Sequence, residues 1–173
     1  MQTLFLSGFS DRNKDWMNSV IASLPSQEFV PTLYPHWGKE IEFDSYLNNL
    51  NLDDYLTSVL PETNPEINIL AKSYGTLLAS KLISSQKVKI NKVVLCGIPE
   101  KLLSSYSSIY QALATLAPTN LLIIQNEFDK YGPAKEISTK LGSLGINTQI
   151  VEIPNDSSHD YNQLELFANF LNS

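Results

Sequence analysis

Ile67-Asn68-Ile69-Leu70-Ala71-Lys72-Ser73-Tyr74-Gly75-Thr76 decides the fold. An apolar run short enough for one buried strand leads through Ala71 and Lys72 to a serine, and residues 74–85 then read as a helix with no loop between. A strand that turns straight into a helix has its next partner beyond that helix, in a parallel sheet.

Outward from this stretch the same unit recurs. Apolar runs at 3–6, 29–33, 67–71, 92–96, 121–125 and 147–153 each read as a buried strand, and helix-like segments at 14–24, 43–60, 74–85, 102–116, 134–144 and 161–171 follow them in turn. In the first helix Trp16, Val20, Ile21 and Leu24 fall on one face, as a helix packed on a sheet requires. Pro25 and Gly145 sit where the first and fifth helices should stop. The alternation predicts a three-layer α/β/α architecture with a mainly parallel, six-stranded sheet. Ligands of such sheets sit outside the carboxyl ends of the strands, so the strand-to-helix turns are where chemistry is to be sought.

Bulk properties narrow the function. At 173 residues and 43% hydrophobic content, one domain spanning 1–173 is expected. A formal net charge of -6 and a pI of about 4.8 repel a phosphate backbone or an anionic membrane, so no nucleic acid partner is expected. No run approaches a membrane span, and the opening Met1-Gln2-Thr3-Leu4-Phe5-Leu6-Ser7 lacks a basic leader. With Cys96 as the one cysteine, no intrachain disulfide can form, and a cytoplasmic location is expected. His36 and His159 are the only histidines, and with no Cys/His cluster a metal site is not expected. Neither G-x-G-x-x-G after the first strand nor G-x-x-x-x-G-K-[ST] occurs, which argues against a nucleotide or flavin module and leaves no cofactor to be expected.

Three turns carry candidate chemistry. On the third, a serine at a helix N-terminus lies beside unpaired N–H groups and the positive end of the dipole, with small residues, Ala71 and Gly75, two positions to either side. A serine before a helix also serves as a simple N-cap. The fifth strand is followed by Asn126-Glu127-Phe128-Asp129-Lys130-Tyr131-Gly132-Pro133, in which Asp129 is an acid candidate and Glu127 its rival. Asp129 in that place also suits an Asx-type turn. The sixth strand runs through Pro154-Asn155-Asp156-Ser157-Ser158 to His159, in a polar loop where a core role explains it poorly.

Ala71-Lys72-Ser73-Tyr74-Gly75 resembles the nucleophile elbow of the α/β hydrolases, with alanine for the first glycine of G-x-S-x-G. The turn around Asp129 resembles that family's acid turn, and His159 stands where the family has its histidine. Ser, Asp and His come in the family's chain order, each on a different turn of one edge. The resemblance implies Ser73 as nucleophile, His159 as base and Asp129 as the acid that orients it. It further implies an oxyanion hole from the Tyr74 N–H and from the Phe9 N–H in Ser7-Gly8-Phe9-Ser10, a turn similar to the family's His-Gly-x with Ser7 in place of histidine. If His159 is the base, activity falls in acid as the imidazole takes up a proton.

Residues 34–42 are rich in turn formers and aromatics and read as an active-site loop. There His36 and Trp37, with Gly8 letting the backbone come close to a ligand, are candidates for substrate contact. No insertion has the length of a lipase lid, which points to a small soluble ester as the substrate. Thioester and amide hydrolysis use the same apparatus. Cys96 ends the fourth strand, but Pro99 interrupts its exit, so it reads as a small buried hydrophobe. A ligand- or protein-binding module on the same fold, with little turnover, is the second reading.

Overall fold

The computed structural model describes residues 1–43, 45–46, 51, 54–55, 58, 60, 66–103 and 108–173. Among the described residues six strands form one sheet: β1 (Gln2–Leu6), β2 (Glu28–Pro31), β3 (Glu66–Lys72), β4 (Lys89–Cys96), β5 (Leu121–Asn126) and β6 (Gln149–Ile153). Their order is β2-β1-β3-β4-β5-β6 and every neighbouring pair is parallel. The helices whose bounds fall among the described residues are α1 (Asn13–Ser23), α2 (Tyr74–Ser85), α3 (Glu100–Leu103), α4 (Ser108–Leu113), α5 (Ala134–Ser143) and α6 (Leu164–Asn172), with a 3₁₀ turn over Pro118–Asn120.

The strand sequences explain the layers. Side chains alternate across a sheet, so a strand covered on both faces is apolar at every position. Leu4, Leu6, Ile69, Ala71, Val93, Leu95, Leu121 and Ile123 point to one face, where Leu77 and Leu82 of α2, Ile109 and Leu113 of α4, and Ile137 and Leu141 of α5 cover them. Phe5, Leu70, Val94, Cys96, Leu122 and Ile124 point to the other, under Met17 and Val20 of α1 and Phe167 and Leu171 of α6. Burying one such Leu, Ile or Phe contributes about 1.5–3 kcal/mol, which is ample to pin the strand register. Asn68 is one of the polar exceptions. It lies buried at a register shift between β3 and β4, where its Oδ1 accepts the Lys92 N–H at 3.2 Å and the Asn91 amide at 3.0 Å.

Several boundaries differ from the sequence reading. The fourth strand begins at Lys89 rather than 92, and the sixth at Gln149 rather than 147. On α1 it is Met17, not Trp16, that is buried. Trp16 is partly exposed and sends its indole N–H 2.6 Å to the Tyr161 carbonyl. Within 102–116, helix is described over Glu100–Leu103 and Ser108–Leu113, and residues 104–107 lie outside the described residues. Most of the helix expected over 43–60 also lies outside them. The last helix starts at Leu164 and not at 161. Tyr161 is held out of it because its buried hydroxyl is engaged at the carboxyl edge of the sheet.

Candidate active site

The elbow between β3 and α2 places Ser73 at φ 54, ψ -120, a conformation that L side chains rarely adopt. Such strain costs about 1–3 kcal/mol and persists only where neighbours enforce it. Here the Ser73 N–H donates to the Cys96 carbonyl at 2.9 Å, and the Ser73 carbonyl accepts the Thr76 N–H at 2.9 Å and the Thr76 hydroxyl at 2.6 Å. Gly75 locks the turn against β1: a Cβ there would stand 2.0 Å from the Leu6 carbonyl oxygen and 2.8 Å from that of Ser7. These are backbone atoms at the carboxyl end of β1 and just beyond it, and they cannot swing aside. Gly75→Ala is therefore expected to cost about 1–3 kcal/mol or more and to displace Ser73. Thermal unfolding checks this, and an unchanged melting temperature would contradict it.

The turn after β5 buries Asp129 completely. Three donors converge on its carboxylate: the Tyr131 N–H on Oδ1 at 2.9 Å, and on Oδ2 both the His159 Nδ1 and the Tyr161 hydroxyl, each at 2.6 Å. Burial by itself would raise the carboxyl pKa. The hydrogen bonds from His159 and Tyr161, with the His159 charge and the Tyr131 N–H, outweigh it and hold Asp129 below its ordinary value of 3.8. A carboxylate can only accept, so the network assigns the His159 proton to Nδ1 and leaves the Nε2 lone pair open. Nε2 is buried and makes no hydrogen bond among the described residues. The structure thus brings Asp129 and His159 together and does not join His159 to Ser73.

The loop that carries His159 is clipped from below. The Asn126 amide donates to the Ser158 carbonyl at 3.1 Å and the Asp160 carbonyl at 3.2 Å, one residue to either side of the histidine. Glu127, the rival acid, instead accepts the Asn155 N–H at 2.8 Å. Gly97, at φ +60 after β4, leaves space for the rings: a Cβ there would meet His159 Cε1 at 2.9 Å and Tyr161 Cε2 at 2.5 Å. Beneath the loop Lys72 is buried, with Nζ 3.1 Å from Asn13 Oδ1, 3.7 Å from Asp160 Oδ1 and 4.8 Å from the Trp16 ring centroid. Burial lowers its pKa, against the pull of Asp160. Cys96 is fully buried, which pushes its thiol well up and keeps it protonated.

On the other side of the elbow, the Ser7–Ser10 turn is held from several directions. The Ser7 carbonyl accepts the Tyr34 hydroxyl at 2.8 Å, and the Phe9 carbonyl accepts both His36 Nε2 at 2.7 Å and Trp37 Nε1 at 3.0 Å. The Phe9 ring stacks on His36 at 4.2 Å and meets Tyr74 edge-on at 5.6 Å. His36 Nε2 must carry the proton to serve a carbonyl. Burial, then the charge of Lys39, lowers the His36 pKa from 6.5 against the Phe9 bond, so the ring stays neutral into mild acid. His36 and Trp37 do line a cavity of about 420 Å³ with Phe9, Asp11 and Lys39, but Ser73 is not among its lining residues and their N–H groups are spent on Phe9. Gly8 has its close approach to the Asn13 side chain, which a Cβ would meet at 2.5 Å. A larger cavity, of about 930 Å³ beside α5, is lined in part by Glu127, the rival acid, and by none of the other candidate site residues.

Sequence reading missed Tyr161, Gly97, Lys72 and Trp16. Only for Gly97 was there a signal, a glycine at the carboxyl end of a strand beside the two candidate turns.

No protein-family model and no curated protein matches the chain. Solved structures do match over nearly its full length. TT1662 from Thermus thermophilus superposes with a TM-score of 0.71 at 14% identity, over 99% of this chain and 87% of that one. An α/β serine hydrolase homologue from Coxiella burnetii gives 0.64 at 14%, over 99% and 83%. XC6422 from Xanthomonas campestris, an α/β serine hydrolase without a lid, gives 0.61 at 12%, over 98% and 78%. The chain has the α/β-hydrolase fold.

Proposed function

We propose that this chain is a serine hydrolase, a single domain that cleaves a small carboxylic ester through an acyl-enzyme, with thioester and amide substrates open to the same chemistry. Ser73 attacks the carbonyl carbon while His159 Nε2 takes its proton, and Asp129 holds the imidazole in the Nδ1–H form and stabilises it once charged. The Tyr74 N–H, first of α2 at the positive end of the helix, and the Phe9 N–H receive the oxyanion. His159 then protonates the leaving alcohol, and water, deprotonated by the same histidine, releases the acid. No residue in this scheme calls for a cofactor.

The observation that carries this reading is the strained Ser73 elbow on the same sheet edge as a buried Asp129 bonded to His159 at 2.6 Å. A serine held in a strained turn is hard to account for as a helix cap, because Ser73 makes no side-chain cap bond. His36 and Trp37 support Phe9 through its carbonyl, which fits a preorganised donor better than direct contact with substrate.

A fluorophosphonate probe tests the proposal: a covalent adduct mapped to Ser73 in folded protein is expected, and its absence sinks the reading. The open Nε2 of His159 favours a second reading, a binding module with little turnover. Catalytic hydrogen bonds often tighten only with substrate in place, which keeps the first reading ahead. Turnover of short p-nitrophenyl esters separates the two.

A further inference from the structure

Tyr161 is the residue around which the acid and base turns are assembled. Its side chain is fully buried in the loop ahead of α6. Its hydroxyl donates to Asp129 Oδ2 and accepts the Asn126 N–H at 3.1 Å, while its carbonyl receives the Trp16 indole at 2.6 Å. Its ring packs against Gly97, at the end of the strand beside β5. A buried phenol needs partners, and the Asn126 N–H answers only its acceptor side. The proton it must donate goes to the one carboxylate oxygen that also faces His159.

We propose that Tyr161 is a positioning residue that divides the charge of Asp129 with His159 and thereby sets the pH at which the site becomes active. The inference rests on the serine-hydrolase reading. Two donors on one oxygen each receive less of its charge than one alone. With the phenol present, Asp129 favours the imidazolium less strongly, and the histidine gives up its acid-side proton at lower pH. Without it, the whole charge falls on His159 and the acid limb of activity moves up.

Among the described residues, the other groups around the imidazole include Asp129, the Tyr131 ring at 4.8 Å and, below the loop, the Lys72–Asp160 pair at 3.7 Å. Lys130 Nζ lies 4.8 Å from the Tyr131 ring centroid, and Cys96 on β4 is a protonated thiol near Tyr161. All of these remain in a Tyr161→Phe protein.

The test is the pH dependence of the rate at which a fluorophosphonate probe inactivates the full chain. Tyr161→Phe should move the acid limb to higher pH by about half a unit. Replacing Tyr161 with 3-fluorotyrosine, a stronger donor of nearly the same size, should move it the other way. Opposite shifts are not produced by loosened packing, which lowers the melting temperature and the rate at every pH alike. If Tyr161→Phe does not fold, the fluorotyrosine protein decides alone: a lowered limb supports the inference and an unmoved one overturns it. A wild-type protein that is never labelled removes the serine-hydrolase reading and this inference together. A labelled wild type whose limb stays put in both variants overturns the inference and leaves that reading standing.

Discussion

Ser73→Ala is expected to abolish labelling by a fluorophosphonate and to reduce kcat on short-chain esters by about 10⁴-fold or more, leaving the fold intact. The size follows from covalent catalysis. Without the hydroxyl no acyl-enzyme forms, and what remains is the stabilisation given by the oxyanion donors and by binding alone. The fold should survive because alanine keeps the Cβ, and the turn is held by backbone bonds to Cys96 and by Thr76, not by the serine hydroxyl. Circular dichroism and the melting temperature check that half of the expectation. Undiminished ester turnover in a folded Ser73→Ala protein would place the chemistry elsewhere.

Asp129→Asn is expected to lower kcat by up to about 10⁴-fold through the wrong tautomer of His159. The three donors that meet at Asp129 make the substitution severe. An asparagine offers one acceptor oxygen. If it faces His159 and Tyr161, its amino group opposes the Tyr131 N–H, and if it faces Tyr131, the amino group opposes the imidazole. In the second arrangement His159 protonates on Nε2 and can no longer accept the Ser73 proton. Stability should respond to pH as well. The folded carboxyl is more acidic than its ordinary value of 3.8, so the stability it contributes is complete above that value and is lost as pH falls through the folded one. Urea unfolding should find the wild type more stable than Asp129→Asn at neutral pH, with the gap narrowing below about pH 4. A gap independent of pH would count against a paired, ionised Asp129.

The fold was legible because the inner strands are short, mainly apolar runs that are largely buried, and no other periodicity competes with them. β3 and α2 were read almost to the residue for the reason that the elbow between them contains no loop to blur the boundary. Boundaries failed where tertiary contacts overrode pattern. Tyr161 has the spacing of a helical residue, yet its hydroxyl is drawn to Asp129 from 32 positions away. His36 and Trp37 read as pocket walls because aromatics in a loop often are, whereas their N–H groups converge on the Phe9 carbonyl.

By itself the sequence determined the alternation of strands and helices, hence a parallel sheet with its turns on one edge, and the kinds of side chain those turns present. Apolar patterning and steric limits at Ala71 and Gly75 act over a few residues, so they can be read without coordinates. Only the tertiary structure decided that Asp129 and not Glu127 meets His159, that Tyr161 shares the same carboxylate oxygen, and that Gly97 makes room for both rings. Those outcomes depend on hydrogen-bond directions between chain segments brought together by the sheet, and no local pattern encodes a direction.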